Sequence, residues 1–93
     1  MIIGILHLGI YIPESNSLKA KRQVLHKLKA NIRNSFNVAV TQVDQEDKWQ
    51  RAELAVVGVE KSRDTINSIL SRIINYMENF SQIELIDYQI ELL

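Results

Sequence analysis

The fold is decided by residues 2–36, which read IIGILHLGIYIPESNSLKAKRQVLHKLKANIRNSF. The first eleven of these residues are mostly isoleucine and leucine and precede the only proline of the chain, a pattern typical of a strand followed by a loop. Apolar residues then recur at helical spacing from about Leu18 to Ser35. Ser15, Asn16 and Ser17 come just before this segment and have side chains that cap helices, so we expect the helix to begin there.

Four further elements are expected in the rest of the chain. They are strands at Phe36–Val43 and Trp49–Val59 around a polar turn at Asp44–Lys48, a helix from Ser62 to about Asn79, and a last strand at Ile83–Leu92. Two strand–helix–strand units in this order predict an α+β protein with a ferredoxin-like βαββαβ sandwich. Its four-stranded antiparallel sheet carries both helices on one face. At 93 residues, the chain forms one domain, residues 1–93, around one core.

Composition limits the functional classes. Lys and Arg total 11 and Asp and Glu total 11, and this zero net charge argues against a protein that coats nucleic acid indiscriminately. The absence of cysteine excludes structural disulfides and thiol chemistry and favours a cytoplasmic location. The apolar first twelve residues are too few to span a bilayer as a helix, and no membrane association is expected.

The predicted topology leaves one face of the sheet without a helical cover. The first strand should present Ile3, Ile5, His7 and Tyr11 on that face. The third strand should add either Ala55, Val57 and Val59 or the residues of the alternate register. Such a surface is unusually apolar, and we expect a second copy of the chain to cover it in a homodimer.

The first predicted helix carries an ordered set of basic side chains, with no acidic residue anywhere between Glu14 and Asp44. At 100° per residue, one continuous stripe runs beside its apolar face, formed by Lys19, Arg22, His26, Lys29 and Arg33. We call these five residues the basic stripe. Lys21 instead points into the apolar arc, where we expect it to snorkel or to pair with a carboxylate, with Asp44 as the first candidate.

Two interpretations of the basic stripe stay open. A charged helix face is usually a solvated surface, and the serines before it are explained as caps. The alternative is an anion-binding surface, which is favoured because soluble helices normally mix both signs of charge.

The hairpin carries the only tryptophan, Trp49, next to Arg51 and after several acids. The indole either packs at the base of the hairpin or belongs with Arg51 to a recognition loop. Asp44 and Asp47 are also placed to pair with Lys21 or Arg22.

Other chemistry has little support in the sequence. His7 and His26 have no metal-ligand spacing, and the three glycines form no phosphate-cradling loop. No metal or cofactor is predicted, and a binding function is favoured over an enzymatic one.

Several segments resemble those of the YlxP-like family of small bacterial proteins. These are SLKAKR at residues 17–22, FNV at 36–38, VD at 43–44 and WQRAEL at 49–54, with the closing Asp87-Tyr88 strand. The resemblance implies a ferredoxin-like fold and a cytoplasmic protein. Because genes of this family often lie beside those for a translation initiation factor and a ribosome-binding factor, it also implies an association with RNA or the ribosome.

Three functional hypotheses follow. In the first, RNA or a ribosomal particle binds through Lys19, Lys21, Arg22, Lys29 and Arg33, with Ser17, Arg51 and Trp49 nearby. The second is a self-associating scaffold that uses the open sheet face, with Ile3, Ile5, Tyr11 and Val57 in the contact. The third is a small anion or phosphoester site between Ser15 and Arg22, at the N-terminus of the helix.

Overall fold

The computed structural model describes residues 1–13, 16–44 and 50–93. Its elements, in chain order, are β1 (Ile2–Tyr11), α1 (Leu18–Ser35), β2 (Ala39–Gln42), β3 (Arg51–Glu60), α2 (Arg63–Glu78) and β4 (Glu84–Leu92). The four strands form one antiparallel sheet in the order β2-β3-β1-β4. This confirms the predicted α+β class and the βαββαβ arrangement, with β1 and β3 in the centre.

The core lies between the sheet and the two helices. One face of β1 is buried through Leu6, Leu8 and Ile10, and the helices cover that face. The helices contribute two sets of buried residues to this core, Leu25, Leu28 and Ile32 from α1 and Ile66, Leu70, Ile73, Ile74 and Met77 from α2. Both sets recur at spacings of three and four residues, so each helix has one apolar face and turns it to the sheet.

Side-chain caps begin both helices as the sequence predicts. Ser17 Oγ accepts a hydrogen bond from the Ala20 N–H at 3.1 Å at the start of α1. Ser62 Oγ accepts one from the Thr65 N–H at 3.2 Å at the start of α2. Each bond satisfies a backbone donor that the first helical turn leaves without an intrahelical partner.

Polar and aromatic contacts fix the orientation of the two helices relative to each other. Asn31 Nδ2 of α1 donates a hydrogen bond to Tyr76 Oη of α2 at 2.9 Å. The guanidinium of Arg72 lies 5.3 Å from the ring centroid of Phe36, which caps the end of α1. These contacts set the rotation of α1, which decides where its basic residues point.

The register of β3 was left open by the sequence, and the structure decides it. Ala52, Leu54 and Val56 are buried under the helices, so Ala55, Val57 and Val59 lie on the open face. On β1, the open face presents Ile3, Ile5, His7 and Tyr11, as predicted.

The predicted start of β2 lies too early in the chain, and the predicted start of β3 cannot be compared with the structure. β2 begins at Ala39 rather than at Phe36, because the Phe36 N–H still donates to Ile32 O at 2.9 Å and ends the helix. The predicted turn at Asp44–Lys48 and the predicted start of β3 at Trp49 involve residues 45–49, which lie outside the described residues.

One residue of β4 departs from the alternation expected of a regular strand. Alternation in the sequence would place Ile86 on one face with Tyr88, Ile90 and Leu92, but the register with β1 shifts between Gly9 and Ile10. Leu85 therefore lies opposite Ile10, and Ile86 becomes an extra residue that is 48% exposed. This irregularity is a β-bulge, which alternation of polar and apolar residues cannot reveal.

Gly4 allows α2 to pack closely on β1, and this predicts a stability difference between two glycine substitutions. In Gly4→Ala, the new Cβ would lie 2.5 Å from Ile66 Cγ1 and 3.1 Å from Leu70 Cδ1, both in the core. We expect a loss of about 1–3 kcal/mol in the free energy of unfolding, measured by urea denaturation.

Gly58→Ala is the matched control, because its Cβ would come no closer than 3.1 Å to the side-chain ends of Ile66 and Val38. At 3.1 Å the neighbouring atoms need to shift by only a few tenths of an ångström, less than at Gly4, so its loss should be smaller. Equal stability of the two variants would contradict the close packing at Gly4.

Candidate nucleic-acid interface

The basic stripe lies along the outer side of α1, beside the face that packs on the sheet. Lys19, Arg22, His26 and Arg33 are exposed and Lys29 is half-buried. Successive members are three or four residues apart, which places one basic group about every 4.5–6 Å along the helix axis. The direction of the stripe is therefore as predicted, and the side chains form one line.

Four members of the basic stripe line a shallow groove between α1 and the end of β2. Its volume is about 490 Å³, and its lining residues are Lys19, Arg22, Gln23, Leu25, His26, Lys29 and Gln42. Leu25 provides an apolar floor and the two glutamines add amide donors. The groove thus presents cations and hydrogen-bond donors to one space, which suits an anionic ligand.

Gln23 and Gln42 were not predicted as site residues. Gln23 follows Arg22 on the same helix, and its position there is visible in the helical pattern. Gln42 belongs to β2, and only the packing of α1 against β2 brings it to the groove.

Arg33, the last member of the basic stripe, is placed apart from the groove. Its Nη2 donates a hydrogen bond to Val40 O of β2 at 3.3 Å. This bond helps to hold the end of α1 on the edge strand, so the Arg33 guanidinium has a structural contact besides its exposed position.

Lys21 is turned toward the core, as its helical direction predicts. It is only 2% exposed and is the buried charged residue among those the structure describes. No buried side-chain nitrogen or oxygen of the described residues lacks a hydrogen-bond partner. Because it is enclosed, Lys21 is placed to stabilise the fold rather than to reach a ligand in the groove.

Asp44, the carboxylate suggested for Lys21, has a defined set of contacts within the hairpin. Its Oδ1 accepts hydrogen bonds from Gln42 Nε2 at 2.9 Å and from the Glu53 N–H at 3.0 Å. Asp44 therefore closes the end of the β2–β3 pair. Asp47, the other suggested partner, lies outside the described residues.

The remaining candidate residues are spread over different parts of the fold. Ser17 is the N-cap of α1. Arg51 lies opposite Tyr11 on the open face, on the other side of the sheet from α1. Trp49 and Ser15 are outside the residues that the structure describes. The structure thus brings Lys19, Arg22 and Lys29 together and separates them from Lys21 and Arg51.

A contact between a histidine and a carboxylate lies on the open face of the sheet. His7 Nε2 donates a hydrogen bond to Glu91 Oε1 at 3.2 Å, and both side chains are 48% exposed.

Across the ranges 1–13, 16–44 and 50–93, no three His, Cys, Asp or Glu side chains are grouped so as to hold a metal ion.

The fold and the groove define a class, a small βαββαβ sandwich with a basic surface on its first helix. Within that class, the chain belongs to the family described as "Protein of unknown function (DUF503)", whose model matches residues 3–90. It is also 31% identical over 83 residues to "Uncharacterized protein YlxP" of Bacillus subtilis (strain 168). The aligned residues make up 89% of this chain and 90% of the relative. The YlxP-like family predicted from the sequence is confirmed.

A solved structure shares the fold at low sequence identity. The "De novo designed protein Foldit4" aligns with a TM-score of 0.51 and 10% identity, covering 100% of this chain and 94% of the other. This likeness concerns the fold alone. Of the helices in the described part of the chain, none is long and apolar enough to cross a membrane.

The positions of Lys21 and Lys19 predict stability losses of very different size for the same charge reversal. Lys21→Glu places a carboxylate in an enclosed site, and we expect it to lower the free energy of unfolding by more than about 3 kcal/mol. Lys19→Glu adds an acid to the exposed first turn of α1, where the helix dipole favours it, and should change stability by less than about 0.5 kcal/mol.

Urea denaturation of the two variants beside the unmodified chain measures both values. Similar stability of Lys21→Glu and Lys19→Glu would show that Lys21 is not held in the core.

Proposed function

We propose that the protein binds RNA, as free ribosomal RNA or within a ribosomal particle, through the groove on α1. The observation that carries this proposal is the convergence of Lys19, Arg22 and Lys29 on one groove. Phosphate groups are the dominant anions of RNA, and basic side chains that contact them supply most of the sequence-independent affinity. The corresponding location is the cytoplasm, where this partner is found.

Charge segregation supports the proposal. The helix α1 carries six Lys and Arg residues and no acid, although the whole chain has zero net charge. A helix that only needed to be soluble would gain from acids placed four residues from these bases. The excess of bases over acids within α1 favours a local positive potential, which attracts a polyanion without making the whole surface basic.

The spacing of the basic stripe residues along α1 also supports RNA binding. From Lys19 to Arg33 the basic stripe extends over fourteen residues, about 21 Å, in a straight line. Several phosphates of one RNA segment are therefore within reach of the line at once. Contacts of this kind position an RNA without reading its bases, so binding should be only weakly sequence-specific.

Salt dependence tests the proposal quantitatively. Three phosphate contacts, from Lys19, Arg22 and Lys29, predict a slope of about −2.1 to −2.7 for log K against log salt concentration. The affinity for a labelled ribosomal RNA fragment should therefore fall about 20- to 40-fold between about 50 mM and about 200 mM salt. In the variant Lys19→Glu with Lys29→Glu, one contact remains and the fall should shrink to about threefold.

Lys61→Glu with Arg63→Glu is the matched control. It changes the net charge equally, at exposed residues near the start of α2, and should retain the slope of the unmodified protein. Thermal unfolding of each variant verifies that it is folded. Absence of binding at low salt, or equal slopes for the two double variants, would contradict the proposal, and competition by inorganic phosphate at low concentration would indicate a small-anion site instead.

A further inference from the structure

The sheet has two edge strands, and they differ in length and in occupancy. β4 has nine residues, whereas β2, at the opposite edge, has four. On β2, the Val40 carbonyl already accepts a hydrogen bond from Arg33 Nη2 at 3.3 Å. Among the residues that the structure describes, no strand pairs with the outer side of β4. The outer edge of β4 is therefore the one on which a further strand can be added.

The pairing of β4 with β1 shows which of its backbone groups point outward. Leu93 and Ile3 exchange two hydrogen bonds, at 2.8 Å and 3.0 Å. Bonded and non-bonded pairs alternate along an antiparallel ladder, and the register stays regular from here to the bulge. Every second residue counted back from Leu93 is therefore bonded to β1. The residues between them direct N–H and C=O away from the sheet, and they are Tyr88, Ile90 and Leu92.

The side of this edge that belongs to the open face is acidic. The chain from residue 73 to residue 93 contains four acids and no Lys, Arg or His. Two of these acids, Asp87 and Glu91, lie on the open face of β4. Glu91 Oε1 accepts the hydrogen bond from His7, and both of these side chains are 48% exposed. Cross-strand neighbours of opposite charge stabilise a sheet, so this side favours basic residues in an added strand.

The side of the edge that belongs to the helices is apolar. The residues that alternate with the acids lie there, and they are Tyr88, Ile90 and Leu92. At the bulge, a groove of about 370 Å³ opens between β4 and the end of α2, lined by Glu78, Leu85, Ile86, Asp87 and Tyr88. Ile86 is 48% exposed and Tyr88 is 54% exposed. This side therefore favours apolar residues in an added strand.

We propose that the outer edge of β4 binds an extended segment of another protein in which basic and apolar residues alternate. The segment adds to the sheet as a fifth strand. Its backbone bonds to the outward groups of Tyr88, Ile90 and Leu92, its basic residues lie beside the acids and its apolar residues lie on the side of the helices. In strand addition, the main-chain bonds supply affinity and the alternating side chains supply specificity.

A second copy of the chain fits this edge less well than a basic segment does. Pairing of β4 with β4 of another copy would bring two acidic strands side by side. Pairing of β4 with β2 would compete with the bond from Arg33 to Val40 O. The edge is also separate from the groove on α1, which borders β2 at the opposite side of the sheet, so strand addition does not rest on the proposed RNA binding.

Amide hydrogen exchange of the full chain tests strand addition with a defined probe, the peptide acetyl-Lys-Val-Lys-Val-Lys-Val-Lys-amide. Without peptide, the amides of Gln89 and Glu91 should exchange slowly and those of Tyr88 and Ile90 rapidly, because only the first two are bonded to β1. Saturation with the peptide should slow exchange at Tyr88 and Ile90 at least about tenfold. Unchanged exchange there at about 1 mM peptide would overturn the proposal.

A proline at an outward position tests the role of the backbone. Tyr88→Pro removes an N–H that does not bond to β1, and it should raise the dissociation constant of the peptide at least about tenfold. Tyr88→Val is the matched control, because it keeps the N–H, and its dissociation constant should stay within about threefold of the unmodified protein's value. Equal affinities of the two variants would overturn strand addition. Hydrogen exchange of the unmodified chain decides the matter if Tyr88→Pro fails to fold.

Charge reversal tests the preference for a basic segment. At about 0.1 M salt, Glu91→Lys should raise the dissociation constant of the peptide at least about fivefold. Glu53→Lys makes the same change on β3, about 10 Å from β4, and should alter it by less than about twofold. The peptide acetyl-Glu-Val-Glu-Val-Glu-Val-Glu-amide should leave exchange at Tyr88 and Ile90 unchanged. Equal effects of the two variants, or equal protection by the acidic peptide, would overturn the preference.

Sedimentation without peptide tests whether a second copy occupies the edge instead. A weight-average mass that rises above 10.7 kDa with concentration in the unmodified chain, but not in Tyr88→Pro, would assign the edge of β4 to a second copy and overturn the proposal. Equal masses of the unmodified chain and Tyr88→Pro at each concentration are expected, since the edge then takes no part in self-association.

Discussion

Burial of one face of β1 against both helices is the interaction on which the rest of the structure depends. β1 pairs with β3 on one side and with β4 on the other, so its Leu6, Leu8 and Ile10 form the centre of the core. Removing this apolar surface from water requires both helices on the same face. The opposite face of the sheet is consequently left open, and the outer side of α1 is directed away from the sheet.

The same packing divides the positive charges of α1 into two groups. Lys21 faces the core and is enclosed, whereas Lys19, about 200° away around the helix axis, is exposed. Their chemistry is identical and their separation is only two residues. What distinguishes them is the rotation of α1, which is fixed by its apolar face and by the contacts of Asn31 and Phe36 with α2. A basic segment therefore contains both a structural lysine and surface cations.

Although the net charge of the chain is zero, two sides of the molecule carry charge of opposite sign. The bases of α1 lie on the helical side, and Glu53, Asp87 and Glu84 lie on the open side of the sheet. The buried core between them keeps these charges from neutralising one another at close range. The outer side of α1 and the open face of the sheet therefore lie on opposite sides of the molecule.

The order and type of all six elements follow from the sequence, because periods of 2 and 3.6 residues are local properties. The bounds of α1 were predicted at both ends, since cap residues precede Leu18 and the helical spacing of apolar residues ends near Ser35. The basic stripe and the inward direction of Lys21 were predicted for the same reason. The bulge at Ile86 and the short β2 were missed, because they depend on pairing between strands and on how α1 ends.

The sequence by itself determined which residues are apolar, how often they recur and where bases gather, and therefore the fold and the basic face of α1. Only the tertiary structure decided which face of β3 is buried, that Gln42 joins the groove, that Arg33 is held by Val40, and that Arg51 lies on the other side of the sheet. The physical reason is the range of the interactions. Helical and strand periodicity acts between neighbours in the chain, whereas register and the approach of α1 to β2 are set by packing between distant segments.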